Sequence, residues 1–324
     1  MTISVAVPTY KRLPQLKRAV EDVFNQTWKE WELVISDDEE CEGETWKWLQ
    51  KLAEKDPRVH VLKNTRGKHG QIYNVNSACM ATHGEWIKPF FDDDRMLPNC
   101  LEEFARLIES DLAQKNNVVM IGCRGEKWRN GVKVGEDNNF ITHGCEVIRQ
   151  NDILLAMCLF DRWNGRTPTH VAMRGDIVRG GALMVEDSFV KHPLDVRWFG
   201  RVLEHGAMMM TDKILVGECQ GEVESGTSQL WKEEGLVTEE NRKVYLEIYD
   251  RAKRDSRWPS RRAVDCEICG IRGAYHLKNR QYWTGLKYCL YSTRSLMGLK
   301  MAMSAIARLR SPGAKIPTER MYYV

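Results

Sequence analysis

Residues 84–98 read GEWIKPFFDDDRMLP, and this stretch decides the fold. Gly84 precedes a bulky run, Trp86, Ile87, Phe90 and Phe91, with the make-up of a buried strand. The run ends in three adjacent carboxylates, Asp92, Asp93 and Asp94. Desolvating unpaired charge costs too much for a strand to bury all three. They are therefore expected just past the strand's C-terminal end, where an open α/β sheet keeps its ligand crevice. Hard oxygen ligands packed this closely suit Mg²⁺ or Mn²⁺, ions that commonly arrive with a phosphate group. The plainer alternative is an acidic loop capping the helix after Pro98.

Upstream, residues 3–7 are apolar and β-branched, a buried strand that stops at Pro8-Thr9-Tyr10. Pro14 suits the first turn of a helix, and Leu13, Leu16, Val20, Val23 and Phe24 give that helix one apolar face. A second strand over 31–36 ends in Asp37-Asp38, and Trp46, Leu49 and Leu52 mark a second helix. Residues 59–62 form a third strand, and 66–81 a polar loop leading into a helix. Downstream, Leu101, Phe104, Leu107 and Ile108 keep helical register, and 118–122 is a further strand. This alternation predicts an α/β fold: a mostly parallel central sheet flanked by helices. A parallel sheet gathers the polar strand ends, Thr9-Tyr10, Asp37-Asp38 and Asp92 to Asp94, on one rim around one crevice. That convergence favours a ligand site over a mere acidic loop.

Residues 124–165 show no clean period and read as loops and short strands. Residues 194–205 read as a helix with Val196, Phe199, Val202 and Leu203 on one face, and 207–216 as a strand. Residues 238–253 read as a helix with Thr238 as N-cap and Glu239-Glu240 in its first turn. The tail, 275–310, is basic and helical, with Met, Leu, Tyr and Trp interspersed.

Composition is that of a globular protein, 43% apolar and 29% charged, which argues against wholesale disorder. The net charge of +3 hides an asymmetry. From Gly270 onward there are ten Lys/Arg against one acid, Glu319, which leaves 38 basic and 44 acidic residues in the remainder, a net −6. The apolar run before Pro8 reads as a strand and not as a secretory signal, so the ten scattered cysteines are expected to be reduced in a cytoplasmic setting. Cys266-Glu-Ile-Cys269 is the one CxxC, a weak sign of zinc, since a structural zinc site wants about four ligands. No apolar stretch approaches the ~18 residues of a membrane-spanning helix.

Taken together these residues resemble the family 2 glycosyltransferases, which have the GT-A fold. The matching pieces are Ser4-Val-Ala-Val-Pro-Thr-Tyr10, Gln26-Thr-Trp28, Trp31-Glu-Leu-Val-Ile-Ser-Asp-Asp38, Asn76, Gly84-Glu-Trp-Ile87, the Asp run, and Asp195-Val-Arg-Trp-Phe-Gly-Arg201. The C-terminal third lies outside the resemblance. It implies a GT-A domain over 1–220, with a nucleotide-binding half at 1–123 and an acceptor half at 124–220, followed by a mostly helical extension at 221–324.

The resemblance also implies roles. Pro8, Thr9, Tyr10 and Asp38 would hold the nucleotide base, with Tyr10 packing on it and Asp38 accepting from a base N–H. Arg66 and Lys68 would meet phosphate, and Asn76 matches the family's Asn or simply holds its loop. Asp92, Asp93 and Asp94 would serve as the metal and ribose site. Phe91 stands where many members have the first Asp, so Asp92 or Asp93 must do that work. Asp195 would be the catalytic base that deprotonates the acceptor hydroxyl. Leu194 replaces a common Glu before it, and its plainer reading is a helix N-cap. Glu186-Asp187 has the family's letters without the aromatic and Arg that should follow. His170 and His205 read as structural or surface residues. Many members supply a late His to the metal; near that position stand only Gln220 and Glu222.

The function implied is inverting transfer of a sugar from a UDP-, GDP- or dTDP-linked donor to an acceptor hydroxyl on a glycan, polysaccharide or glycolipid, with Mn²⁺ or Mg²⁺ as cofactor. Two alternatives differ in class. A sugar nucleotidyltransferase wants a Gly-rich phosphate loop after the first strand, but Pro8-Thr-Tyr-Lys-Arg12 has no glycine. A degenerate, non-catalytic scaffold is disfavoured by intact acids at both 92–94 and 195. The basic tail reads equally as a surface helix in peripheral contact with anionic lipid at the inner face of a membrane and as a helix packed on the domain with a basic solvent face. Nucleic acid is not expected as a partner, because the body is acidic.

Overall fold

The computed structural model describes residues 1–64, 68–136, 144–159, 167–187, 194–220, 234–278 and 280–300. Its contacts divide the chain into two compact units. The first holds Met1–Arg149, Arg166–Glu186 and Arg201–Gln229; the second holds Gln150–Gly165, Asp187–Gly200 and Leu230–Val324.

The first unit opens with β1 (Ile3–Thr9), α1 (Leu13–Phe24), β2 (Trp31–Asp37), α2 (Glu44–Lys55), β3 (Val59–Lys63) and α3 (Gln71–Met80). It continues with β4 (Trp86–Pro89), β5 (Arg95–Met96), α4 (Cys100–Ile108), α5 (Asp111–Lys115), β6 (Val118–Arg129), β7 (Val132–Glu136) and β8 (Cys145–Ile148). After α6 (Gln150–Cys158), which belongs to the second unit, come β9 (Val171–Arg174) and α7 (Gly175–Arg179). Helix α8 (Leu194–Leu203) begins in the second unit, and β10 (Ala207–Gln220) completes the sheet.

The sheet order is β3-β2-β1-β4-β9-β6-β10-β5, with β7 on β6 and β8 on β10. Strands β1, β2, β3 and β4 pair in parallel. β9 runs antiparallel to both β4 and β6, and β10 runs parallel to β6. Six strands therefore point the same way, so the sheet is mostly parallel with helices against it. All seven residues of β1 and of β2 are buried, as strands covered on both faces require. Leu16, Val20 and Val23 of α1 share one core with Ile3, Val5, Val7, Leu33, Ile35, Leu101 and Phe104. Gly84 is fixed by close approach: a Cβ there would lie 2.5 Å from Ser4 Oγ and 2.7 Å from the Thr2 carbonyl oxygen.

Two sequence expectations need correction in this unit. Residues 124–129, within the stretch read as loops and short strands, belong to a long strand: β6 runs on to Arg129 because β10 and β7 hydrogen-bond it on either side. Strand β10 likewise extends past residue 216 to Gln220. Pairing partners far along the chain hold both extensions, so no local period announces them.

The described helices of the second unit include α6, α9 (Glu234–Arg251), α10 (Arg261–Lys278) and α11 (Tyr282–Ser292). Thr238 is not an N-cap; the helix starts at Glu234. The tail is helical in more than one piece: residues 296–300 form a further helical stretch, and before it come α10, which starts at Arg261, and α11. The latter two are separated at Arg280, whose φ of 63° is left-handed. Helices α10 and α11 approach closely through glycines: a Cβ on Gly273 would lie 2.6 Å from Cys289 Sγ, and one on Gly285 2.6 Å from Leu277 Cγ. Cys266 and Cys269 lie buried inside α10, and burial pushes the Cys269 thiol up to about 12. Among the described residues no helix is long and apolar enough to cross a membrane.

Candidate active site

The C-terminal ends of β1, β2 and β4 lie on one rim of the sheet, and the polar residues there meet in space. Strand β4 stops at Pro89, and Phe90 is fully buried. The three aspartates follow in the turn before β5. Each faces a different partner.

Asp92 is buried, and its Oδ2 accepts from the Thr9 hydroxyl at 2.7 Å. Burial pushes its carboxyl up to about 6, against the pull of the Thr9 bond and of Arg12. Asp93 is the accessible member, with 27% of its side chain exposed. Arg12 Nη1 donates to Asp93 Oδ2 at 2.8 Å and lies 3.4 Å from Asp92 Oδ1. Arg18, from the same helix, donates to the Asp93 carbonyl at 2.8 Å. Lys11, at a left-handed φ of 54°, lies between β1 and α1 and sets Arg12 at the start of α1.

Asp94 turns away into the sheet. Its Oδ2 accepts from the Thr169 hydroxyl at 2.5 Å and its Oδ1 from the Cys219 amide at 3.2 Å. Burial first, and the charge of Asp93 second, raise its pKa well above the ordinary carboxylate range. Beneath it the fully buried Lys88 donates to the carbonyls of Pro89 and Thr169. Asp94 thus ties the turn after β4 to the short 3-10 turn before β9 and to β10.

These contacts decide what the acids can hold. Among the described residues no three His, Cys, Asp or Glu side chains converge as a metal cluster. Of the three aspartates expected at the metal, Asp94 is bonded to Thr169 and the Cys219 amide. The remaining pair, Asp92 and Asp93, does fit a divalent ion, because a cationic group, the Arg12 guanidinium, already bridges them. Mg²⁺ commonly takes only one or two protein carboxylates and fills its shell with phosphate and water.

The second loop is equally ordered. Asp38 is buried; its Oδ1 accepts from Asn64 Nδ2 at 2.6 Å and lies 3.2 Å from His69 Nδ1, and its Oδ2 accepts from the Gly70 amide at 2.7 Å. A carboxylate has about four acceptor positions, so one on Oδ2 remains for a ligand N–H. Asp37, fully buried, pairs with Lys63 at 2.8 Å. Pro8 is buried within β1, whereas the Tyr10 ring is 51% exposed with Lys11 Nζ 5.0 Å from its centroid. Asn74 donates to the Thr9 carbonyl at 2.9 Å.

Lys68 is exposed, its Nζ 5.4 Å from the Tyr73 ring centroid. Arg66 lies outside the described residues. Asn76 is not at the rim's open side: its amide donates to the Met184 carbonyl at 2.8 Å and accepts from the Met184 amide at 3.1 Å, which clamps the segment after α7. That clamp brings Glu186 to Tyr73, whose hydroxyl donates to it at 3.1 Å. His170 is buried beside Thr167 and reads as structural.

In the second unit Asp195 occupies the first turn of α8, and its Oδ1 accepts from the Val196 amide at 2.8 Å. Burial raises its pKa, opposed by the backbone bonds. Asp187 pairs with Arg197 at 3.0 Å. Sequence reasoning passed over Arg12 and Thr169. The signal for Arg12 was present, since a cation directly after the first strand must share the rim with the acids. Thr169 carried none.

The sheet order and the acidic turn define a GT-A glycosyltransferase fold. In agreement, S. aureus TarS 1-349 in complex with UDP-GlcNAc superposes with a TM-score of 0.59 at 15% identity, over 96% of this chain and 92% of that one. The mannosyltransferase PcManGT from Pyrobaculum calidifontis, in complex with GDP-Man and Mn2+, superposes at 0.50 with 13% identity, over 96% and 88%. Residues 4–162 match the family described as Glycosyl transferase family 2. A GalNAc(5)-diNAcBac-PP-undecaprenol beta-1,3-glucosyltransferase of Campylobacter jejuni is 32% identical over 115 residues, 36% of this chain and 34% of its own length. This chain spans less than half the length of the first curated relatives it matches.

Proposed function

We propose that this chain is an inverting glycosyltransferase that moves a sugar from a nucleoside diphosphate to an acceptor hydroxyl of a glycan, polysaccharide or glycolipid. One observation carries the reading: Thr9, Arg12, Asp92 and Asp93 form a single hydrogen-bonded cluster at the rim where β1, β2 and β4 end. The exposed Tyr10 ring offers a face to the nucleotide base, and Asp38, already fixed by Asn64 and Gly70, keeps an acceptor position for a base N–H. Pro8 supports that turn from within β1, and Lys68, with Arg66 beside it in sequence, supplies positive charge for phosphate.

Asp93, backed by Asp92, would hold Mg²⁺ or Mn²⁺. The chemistry such an ion supplies when bound is positive charge beside the departing diphosphate. Asp195 takes the proton of the acceptor hydroxyl as its oxygen bonds to the anomeric carbon. The bond from that carbon to phosphate oxygen breaks, and its electron pair leaves with the nucleoside diphosphate. An undecaprenol-linked acceptor of the kind in the Campylobacter relative's name agrees with this reading.

Incubating the protein with UDP-, GDP- and dTDP-sugars and Mn²⁺ tests the proposal. It requires metal-stimulated release of the diphosphate from one donor class and, with an acceptor, a product of inverted anomeric configuration by NMR. A retained configuration rejects the mechanism; release from none of the donors rejects the activity.

A further inference from the structure

Helix α11 is packed inside out. The residues it turns toward its own unit are small: Gly285, Cys289 and Ser292 are buried. Its large apolar residues face solvent: Trp283 is 86% exposed and Leu290 61%, with Tyr282 and Leu286 beside them. Positions 282, 283, 286 and 290 share one side of a helix. Just beyond the helix, Leu296 is 81% exposed. The same stretch exposes Arg280, Lys287, Arg294 and Lys300, and no Asp or Glu occurs from 280 to 300.

An apolar stripe on a stretch whose own charges are all positive points to a particular occupant. In a two-fold dimer the same face meets itself, so these cations would oppose their own copies. Residues 301–324 contribute four further basic residues and one acid, so their charge does not complement the face either. An anionic bilayer takes both features at once: Trp and Leu enter the headgroup and acyl boundary while Lys and Arg stay with the phosphates.

We propose that the outward face of α11, with Leu296, is the surface by which this protein sits on an anionic lipid bilayer. No residue of this face is among those of the nucleotide rim, so its substitution tests docking apart from nucleotide binding.

The test uses the full chain and sucrose-loaded vesicles of phosphatidylcholine with or without phosphatidylglycerol. Binding rises about tenfold or more with the anionic lipid and falls with added salt. The triple variant Trp283→Ser, Leu286→Ser, Leu290→Ser lowers it at least about tenfold, because these side chains supply the inserted apolar area. The pair Lys287→Gln, Arg294→Gln lowers it chiefly at low salt. All substituted side chains are exposed or at the surface of α11, so melting temperature and nucleotide binding remain those of the wild type. Equal binding to neutral and anionic vesicles overturns the proposal, as does a triple variant that sediments like the wild type. A wild-type dimer that the triple variant dissociates, without lipid binding, assigns the face to a second copy instead.

Discussion

Arg12 Nη1 lies 2.8 Å from Asp93 Oδ2 and 3.4 Å from Asp92 Oδ1, so one guanidinium bridges the two carboxylates best placed to hold a metal. A divalent ion must displace that guanidinium or bind beside it against like charge. The Arg12→Gln variant is therefore expected to bind Mn²⁺ about three- to tenfold more tightly than the wild type in the absence of nucleotide, roughly 0.7–1.4 kcal/mol. Titration followed by the EPR signal of free Mn²⁺ measures this. Equal affinities in the two proteins mean that the guanidinium does not compete.

Asp93 is the accessible carboxylate of the run, while Asp92 and Asp94 are buried in hydrogen bonds. Calorimetry with UDP and GDP should show binding that weakens at least about tenfold in EDTA for the wild type, as a phosphate-bridging ion requires. In Asp93→Ala the nucleotide should bind with the same low affinity whether or not Mn²⁺ is present. A variant that still gains affinity from Mn²⁺ places the metal elsewhere.

Burial raises the pKa of Asp195 above the ordinary carboxylate value of 3.8. A base works only when ionised, so transfer should fall as pH drops through that raised pKa, giving an acid limb above the usual Asp range. Asp195→Asn keeps the shape and removes the basic oxygen. Transfer is expected to fall about 100-fold or more, with donor binding held within about threefold, the change expected when an interaction made only in the transition state is lost. Glu186→Gln and Asp187→Asn should stay near wild type, since the first accepts from Tyr73 and the second pairs with Arg197. Full transfer by Asp195→Asn together with a dead Asp187→Asn would show that the base was misassigned.

Gly84 begins the stretch that carries the site, and its missing Cβ is a packing requirement. The Ala methyl would meet Ser4 Oγ and the Thr2 carbonyl at 2.5 and 2.7 Å, and the carbonyl belongs to backbone that cannot step aside. Ser4 is further fixed by its bond to the buried Glu32, which also accepts from the Gly84 amide at 2.9 Å. Gly84→Ala is expected to cost about 1–3 kcal/mol of stability, as overpacking does, and to lower the melting temperature in a thermal unfolding experiment. An unchanged melting temperature would mean that the strand pair β1–β4 can shift to admit the methyl.

The sequence legibly placed the α/β sheet, because its first strands are short apolar runs ending in polar clusters, a pattern set by neighbours along the chain. It also placed Thr9, Asp38 and Asp92 on one rim, since that follows from parallel pairing alone. It did not separate Asp94 from Asp92 and Asp93. Three identical letters in a row differ only in what each side chain meets, and Thr169 and the Cys219 amide arrive from elements 75 and 125 residues away. Asn76 was likewise readable as a helix residue but not as the clamp on Met184, 108 residues on.

What the chain by itself determined is therefore the alternation of strands and helices up to residue 122, the acidic turn after Phe90 and Phe91, and the basic tail. Those properties reside in local hydrophobic period and charge, which survive without a partner. Only tertiary structure decided that Arg12 bridges Asp92 and Asp93, that Asp94 is withdrawn from the rim, and that α11 buries Gly285 while showing Trp283 to solvent. A carboxylate becomes a ligand or a strut, and a tryptophan core or surface, according to the groups that folding brings within a few ångströms of it.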